Sequence, residues 1–166
     1  LPHYPDQVTK VIGIEPDEGM LKKAQPRADA APFPVELIQG VAEALPLEDQ
    51  STDTVLLTFT LCTLPDVPGA LREFRRVLRP NGRLLFAEHG RSPDPGVARW
   101  QDRLNGLWKP LAGGCNLNRE ILTLLEDGGF EVEELHQGYL RRTPRTMGYV
   151  SRGIARPIPT PAAHQG

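Results

Sequence analysis

Chemistry-bearing side chains in this 166-residue chain stand where its apolar runs end. Glu15 closes Val8–Glu15, Thr58-Phe59-Thr60-Leu61-Cys62 closes a strongly apolar run, and His89 follows Arg83–Glu88. In an open α/β sheet, ligands bind outside the carboxyl ends of the strands. A carboxylate at Glu15 can accept two hydrogen bonds from a ribose diol, which suits a cofactor containing adenosine. The structural alternative is an acid favoured by the dipole of a following helix. His89 is a titratable group able to act as a general base, or a rim histidine bonding a loop. Thr58 and Thr60 are more often strand residues satisfying backbone groups than catalysts.

Two further stretches could line a site. Gly40-Val41-Ala42-Glu43-Ala44-Leu45-Pro46-Leu47 offers free backbone N–H groups and apolar walls at Val41 and Leu45. Cys115 and Asn116 precede a predicted helix and could border an acceptor pocket. Cys115 reads alternatively as a small buried hydrophobe. The two cysteines, Cys62 and Cys115, are far apart and lack metal-type spacing, so the sequence predicts free thiols, no disulfide framework and no metal. No residue is assigned as catalytic; His89, Cys115 and Asn116 are the candidates.

The elements that must position these groups alternate. Val8–Glu15 reads as a strand buried on both faces. Asp17 then caps a helix through Met20, Leu21 and Ala24 that should fail before Pro26. Val35–Gly40 and Thr54–Phe59 are further strands. Leu71, Phe74, Val77 and Leu78 fall at helical spacing, with Arg72, Arg75, Arg76 and Arg79 on a solvated face. Pro80-Asn81-Gly82 stops that helix and turns into the strand Arg83–Glu88. Val97, Trp100, Leu104, Leu107 and Trp108 suggest an amphipathic helix whose two tryptophans pack in the core. Asn118 caps another helix, with Ile121, Leu124 and Leu125, closed by Gly128-Gly129. Phe130–Leu140 and Met147–Ala155 finish as strands joined at Thr143-Pro144. From Pro157 the chain reads as a disordered tail, leaving one domain over residues 1–156. The fold class is α/β, a doubly wound sheet closed by an antiparallel pair of strands, because a parallel return needs a longer crossover.

A net charge of -2 supplies no basic field for nucleic acid. No apolar run reaches the ~18 residues that span a bilayer, so a cytoplasmic address is expected. The chain begins at Leu1 rather than Met, which leaves an upstream leader or membrane anchor open.

Taken in order, Ile14-Glu15-Pro16 with Met20-Leu21, Gly40-Val41-Ala42-Glu43-Ala44-Leu45-Pro46, Ser51-Thr52-Asp53-Thr54-Val55 and Phe74-Arg75-Arg76-Val77-Leu78-Arg79-Pro80-Asn81-Gly82 resemble class I methyltransferases of the type-11 group. Phe86-Ala87-Glu88-His89, Trp108 and Gly114-Cys115-Asn116-Leu117-Asn118-Arg119-Glu120 look closest to thiol and phospholipid methyltransferase-like members. The resemblance implies a Rossmann-like sheet of order 3-2-1-4-5-7-6, counted from the family's own first strand. It implies S-adenosylmethionine as cofactor and a small-molecule, thiol or lipid acceptor. Glu15, with Pro16 beside it, matches the ribose-binding acid. Val41 and Ala42 match the adenine loop, and Thr58 and Phe59 match the segment beside the methionine moiety.

Two departures stand out. Many relatives carry Asp where this chain has Val41, which removes a side-chain acceptor for the adenine amino group. The family's central first strand and its Gly-x-Gly-x-Gly loop belong upstream of Leu1-Pro2-His3-Tyr4-Pro5 and are not in this chain. The expectation is therefore weak cofactor binding by these 166 residues alone. A non-catalytic methyltransferase-like domain and a nicotinamide-dependent oxidoreductase are the alternatives, the second opposed by the Gly40–Leu47 loop and the closing strand pair.

Overall fold

The computed structural model describes residues 3–159 and divides the chain into two compact units, Leu1–Pro46 and Leu47–Gly166. The first unit is one β-α-β turn: β1 (Val11–Glu15), α1 (Glu18–Asp29) and β2 (Val35–Gln39). The strands pair in parallel, from Val11 opposite Val35 to Glu15 opposite Gln39. Asp17 caps α1 as its sequence position predicts, its Oδ1 accepting the Met20 N–H at 2.7 Å.

Two expectations fail in this unit. α1 runs through Pro26 to Asp29, because Pro26 is exposed and water can take the Lys22 carbonyl that a proline leaves without its helical donor. β1 is shorter than Val8–Glu15 and half-buried throughout instead of covered on both faces. Among the described residues its sheet has two strands, which offer little surface to bury it against.

The second unit contains β3 (Thr52–Thr58), α2 (Val67–Val77), β4 (Leu78–His89), α3 (Pro95–Leu111), α4 (Ile121–Asp127), β5 (Phe130–Tyr139), α5 (Arg145–Gly148) and β6 (Tyr149–Pro157). Its sheet has the order β3-β4-β6-β5. β3 and β4 are parallel, and β6 runs antiparallel to both β4 and β5. Within each sheet the strand neighbours are those of the family order: β2-β1 matches its 3-2 pair, and β3-β4-β6-β5 matches its 4-5-7-6 run.

α2 shows why the second unit has a core. Val67, Ala70, Leu71, Phe74 and Val77 recur on one helical stripe, and all are buried. Burying a large apolar side chain contributes roughly 1.5–3 kcal/mol. The arginines on the opposite face are latches: Arg76 bonds Glu73, Asp49 and the Leu47 carbonyl, and Arg79 reaches Asp53. Pro80-Asn81-Gly82 does not separate helix from strand as expected. It lies within β4, where the register with β3 skips from Leu78 to Arg83.

Later boundaries shift for polar reasons. Glu120, not Asn118, occupies the cap position of α4, since the Asn118 side chain donates to Asp102 Oδ1 at 3.0 Å. A four-residue helix, α5, precedes β6, which delays that strand to Tyr149. Pro157 closes β6, and Ile158 N–H donates to the Gly129 carbonyl, so the expected tail does not begin at Pro157. Residues 160–166 of that tail lie outside the described residues. Among the described residues, no helix is long and apolar enough to cross a membrane.

Candidate functional site

In the first unit, parallel pairing brings Glu15 and Gln39 to the same strand end. Glu15 Oε1 accepts the Asp17 N–H at 3.0 Å, which leaves Oε2 without a hydrogen bond among the described residues. Gln39 donates its side-chain amide to the Pro16 carbonyl at 3.1 Å, fixing the turn that presents Glu15. The Gly40 N–H donates to the Glu15 carbonyl, so the loop after β2 starts against the end of β1.

That loop doubles back through an Ala44 N–H bond to the Val41 carbonyl. Val41 is 45% exposed, an apolar side chain held open to solvent, and Ala42 beside it is half-buried. Glu43 Oε1 is buried with no hydrogen-bond partner. A buried carboxylate oxygen without a donor costs on the order of 1–3 kcal/mol, so Glu43 is an unsatisfied acid inside this loop. An adenosine fits this set: an open carboxylate oxygen for a ribose hydroxyl and an exposed apolar surface for a ring. The sequence pointed to Val41 and Ala42 and passed over Glu43, which there is one more acid in a loop.

In the second unit, β3 ends at Thr58, and Phe59 takes a left-handed backbone with φ 52°. An aromatic residue in that region is strained, and such residues cluster at functional turns. The turn holds Phe59 42% exposed, its ring centroid 4.4 Å from that of His89. Thr58 is exposed and Thr60 half-buried, and Thr60 N–H donates to Glu88.

Glu88 is fully buried and sets the geometry of this end of the sheet. Its two carboxylate oxygens accept the Thr60 N–H at 2.8 Å and the Cys62 N–H at 3.2 Å. Burial pushes its carboxyl above the ordinary value, and those backbone donors pull partly back. Arg119 clamps the same turn from the other side, donating to the carbonyls of Leu61 and Leu64. Nothing in the sequence marks Glu88 as a support, because it closes an apolar run and resembles any acid at a strand end.

The loop after α3 brings Cys115 and Asn116 to this turn. Gly113 and Gly114 have φ of +60° and +94°, conformations that reverse the chain at little cost for glycine. Asn116 then binds the Cys62 carbonyl twice, through its backbone N–H at 2.8 Å and its side-chain amide at 3.0 Å. The Cys115 and Cys62 sulfurs lie 3.4 Å apart, and Cys115 Sγ is 3.9 Å from His89 Nδ1. The contact with Cys62, then that with His89, lowers the Cys115 thiol, while Cys62 is pushed up by the same pairing and by burial. The three residues that sequence reasoning named separately as His89, Cys115 and Cys62 thus form one cluster.

The tryptophans behave differently from each other. Trp100 is 55% exposed and Leu107 is 72% exposed, against the expected core packing. The inward stripe of α3 is instead Ala98, Gln101, Asn105 and Trp108. Gln101 accepts the Ser92 N–H and donates to the Gly90 carbonyl; Asn105 accepts the Leu117 N–H and donates to Asn116 Oδ1. A polar stripe that satisfies loop backbone has no apolar periodicity to reveal it.

Residues 1–86 match the family described as a methyltransferase domain. A human thiol S-methyltransferase is 41% identical over 92 residues, covering 55% of this chain and 38% of that protein. A ubiquinone/menaquinone biosynthesis C-methyltransferase of Hahella chejuensis is 43% identical over 79 residues, covering 48% of this chain and 32% of that protein. The aligned stretch thus spans no more than two fifths of those relatives' length. A solved S-adenosylmethionine-dependent methyltransferase of Methanosarcina mazei has the same fold, with a TM-score of 0.72 at 20% identity over 91% of this chain and 83% of its own.

Proposed function

Because the chain belongs to the class I methyltransferase-domain family, we propose that it takes part in methyl transfer from S-adenosylmethionine to the sulfur of a small-molecule thiol. The observation that carries the cofactor half is Glu15, a carboxylate at the end of β1 with one oxygen bound in the turn and the other open. The acceptor half rests on the likeness to thiol S-methyltransferases.

When bound, the cofactor supplies an electrophilic methyl group on a sulfonium sulfur. The chain's own residues supply orientation, proximity and exclusion of water, which dominate an in-line displacement. Within Leu1–Pro46, Glu15 Oε2 accepts from the ribose, and Val41 and Ala42 border the adenine. Within Leu47–Gly166, Thr58 and Phe59 are the candidates for the methionine end. A lipid acceptor is the alternative that label in the lipid fraction of the assay below would favour.

The deciding assay restores the family's first strand and glycine loop upstream of Leu1 and follows labelled methyl from S-adenosylmethionine into a panel of alkyl and aryl thiols, quinols and lipids. Label in a thioether is the expected result. Label on a ring carbon replaces this reading with C-methyl transfer, which the Hahella relative favours. No transfer to any acceptor supports the non-catalytic domain. Replacing Glu15 with Ala should raise the KM for S-adenosylmethionine about 10–100-fold, the worth of one or two charge-assisted hydrogen bonds. An unchanged KM removes Glu15 from the site.

A further inference from the structure

We propose that Cys62, His89 and Cys115 form a binding site for one soft divalent cation of the zinc type, with three protein ligands and a fourth coordination position left for a water or a small ligand. The ligand atoms of all three residues lie within 4.8 Å of one another. Tetrahedral zinc, with Zn–S of about 2.3 Å and Zn–N of about 2.0–2.1 Å, places two thiolates about 3.8 Å apart and a thiolate and imidazole nitrogen about 3.5 Å apart. The Cys62–Cys115 and Cys115–His89 separations, 3.4 and 3.9 Å, each lie within about half an ångström of those values. Two sulfurs and an imidazole suit zinc-like cations and not the hard, oxygen-seeking ones.

The ligands come from three parts of the second unit, and each is fixed by its surroundings. His89 ends β4, opposite Val150 of β6, with Phe59 against its ring. Cys62 has its N–H held by Glu88 and its carbonyl held twice by Asn116. Cys115 follows the left-handed Gly113-Gly114 pair, and its own N–H donates to the Ala112 carbonyl. Beside Cys115, the Trp108 indole Nε1 is buried without a hydrogen-bond partner. Backbone bonds on both sides of Cys62 also oppose the alternative of a disulfide. The sulfurs would have to close from 3.4 Å to about 2.05 Å.

The test uses the whole chain, purified under a phosphine reductant and stripped of metal, then titrated with Co2+ as a spectroscopic probe and with Zn2+ in competition. One equivalent of Co2+ should give sulfur-to-cobalt charge transfer and tetrahedral ligand-field bands, displaced by Zn2+. Cys115→Ala should abolish the charge-transfer signal or weaken binding at least about 100-fold. The half-exposed His89→Asn, which leaves the core packing alone, should weaken it at least about tenfold, and circular dichroism checks that both variants fold. Uptake by the folded variants equal to that of the parent overturns the proposal. So does a reduced, folded parent that takes up no cation, or one whose two thiols pair into a disulfide on air exposure and bind nothing when reduced. None of these readouts depends on methyl transfer.

Discussion

The two units differ in how their strands are covered. In Leu1–Pro46, Ala28 is the one described residue that is buried, and β1 is half-buried along its length. In Leu47–Gly166, Leu84, Leu71, Leu117, Leu125 and Phe130 are all buried to within a per cent or so. Both strand pairs are parallel at their start, so pairing mode does not explain the contrast. Among the described residues, the second sheet has β6 and β5 on one edge and α2 and α4 packed against it, and the first has α1. A two-stranded sheet buries too little to stand far above marginal stability. The candidate adenosine contacts therefore ride on the weaker unit, and the cysteine–histidine cluster on the stronger.

The largest test of that contrast is Gly153. A Cβ added there would overlap the Glu134 carbonyl oxygen, close to where the β5–β6 register shifts. Gly153→Ala should separate β5 from β6 and produce the deepest fall in melting temperature of these substitutions. Leu84→Ala comes next, with an expected cost of about 2–5 kcal/mol in chemical denaturation. Ile14→Ala, at a half-buried position of β1, should cost about 1 kcal/mol or less, in line with its partial burial. Equal costs at Leu84 and Ile14 would break the comparison. Native-state hydrogen exchange sharpens it without mutation: amides of β1 and β2 should exchange well before those of β4 and β6.

The smallest effect is electrostatic. The Arg91 guanidinium and then the Asn118 amide hold the Asp102 carboxyl below its ordinary value. A carboxyl lowered in the folded state stabilises above its unfolded value near 3.8 and loses that contribution as pH falls through the lowered one. Asp102→Asn should flatten the acid side of the stability profile below about pH 4. The pair is exposed, so the change should fade with added salt.

Much of the scaffold was legible because local signals and tertiary structure agree. Asp17 is a cap, the α2 stripe is apolar at helical spacing, and the short return between the last two strands forces antiparallel pairing. Pro26 misled because a proline stops a helix only where its freed carbonyl is costly, and on an exposed face it is not. Gln101 and Asn105 were invisible because their work is to satisfy loop backbone, which leaves no hydrophobic pattern. Glu15 and the Gly40–Leu47 loop were readable from their place after strands. The cluster was half readable: strand ends put Cys62 and His89 on one rim, but only the turn at Gly113-Gly114 brings in Cys115 from 53 residues beyond Cys62.

The position of β6 also has a consequence for how the molecule is made. β6 is inserted between β4 and β5, so both earlier strands leave the ribosome with an edge that waits for Tyr149–Pro157. Until then the nascent chain shows open backbone along Leu84–His89, a stretch that other unfinished chains can pair with. β3 and β4 can pair early, and the β4–β6 and β6–β5 pairings both wait for the last strand.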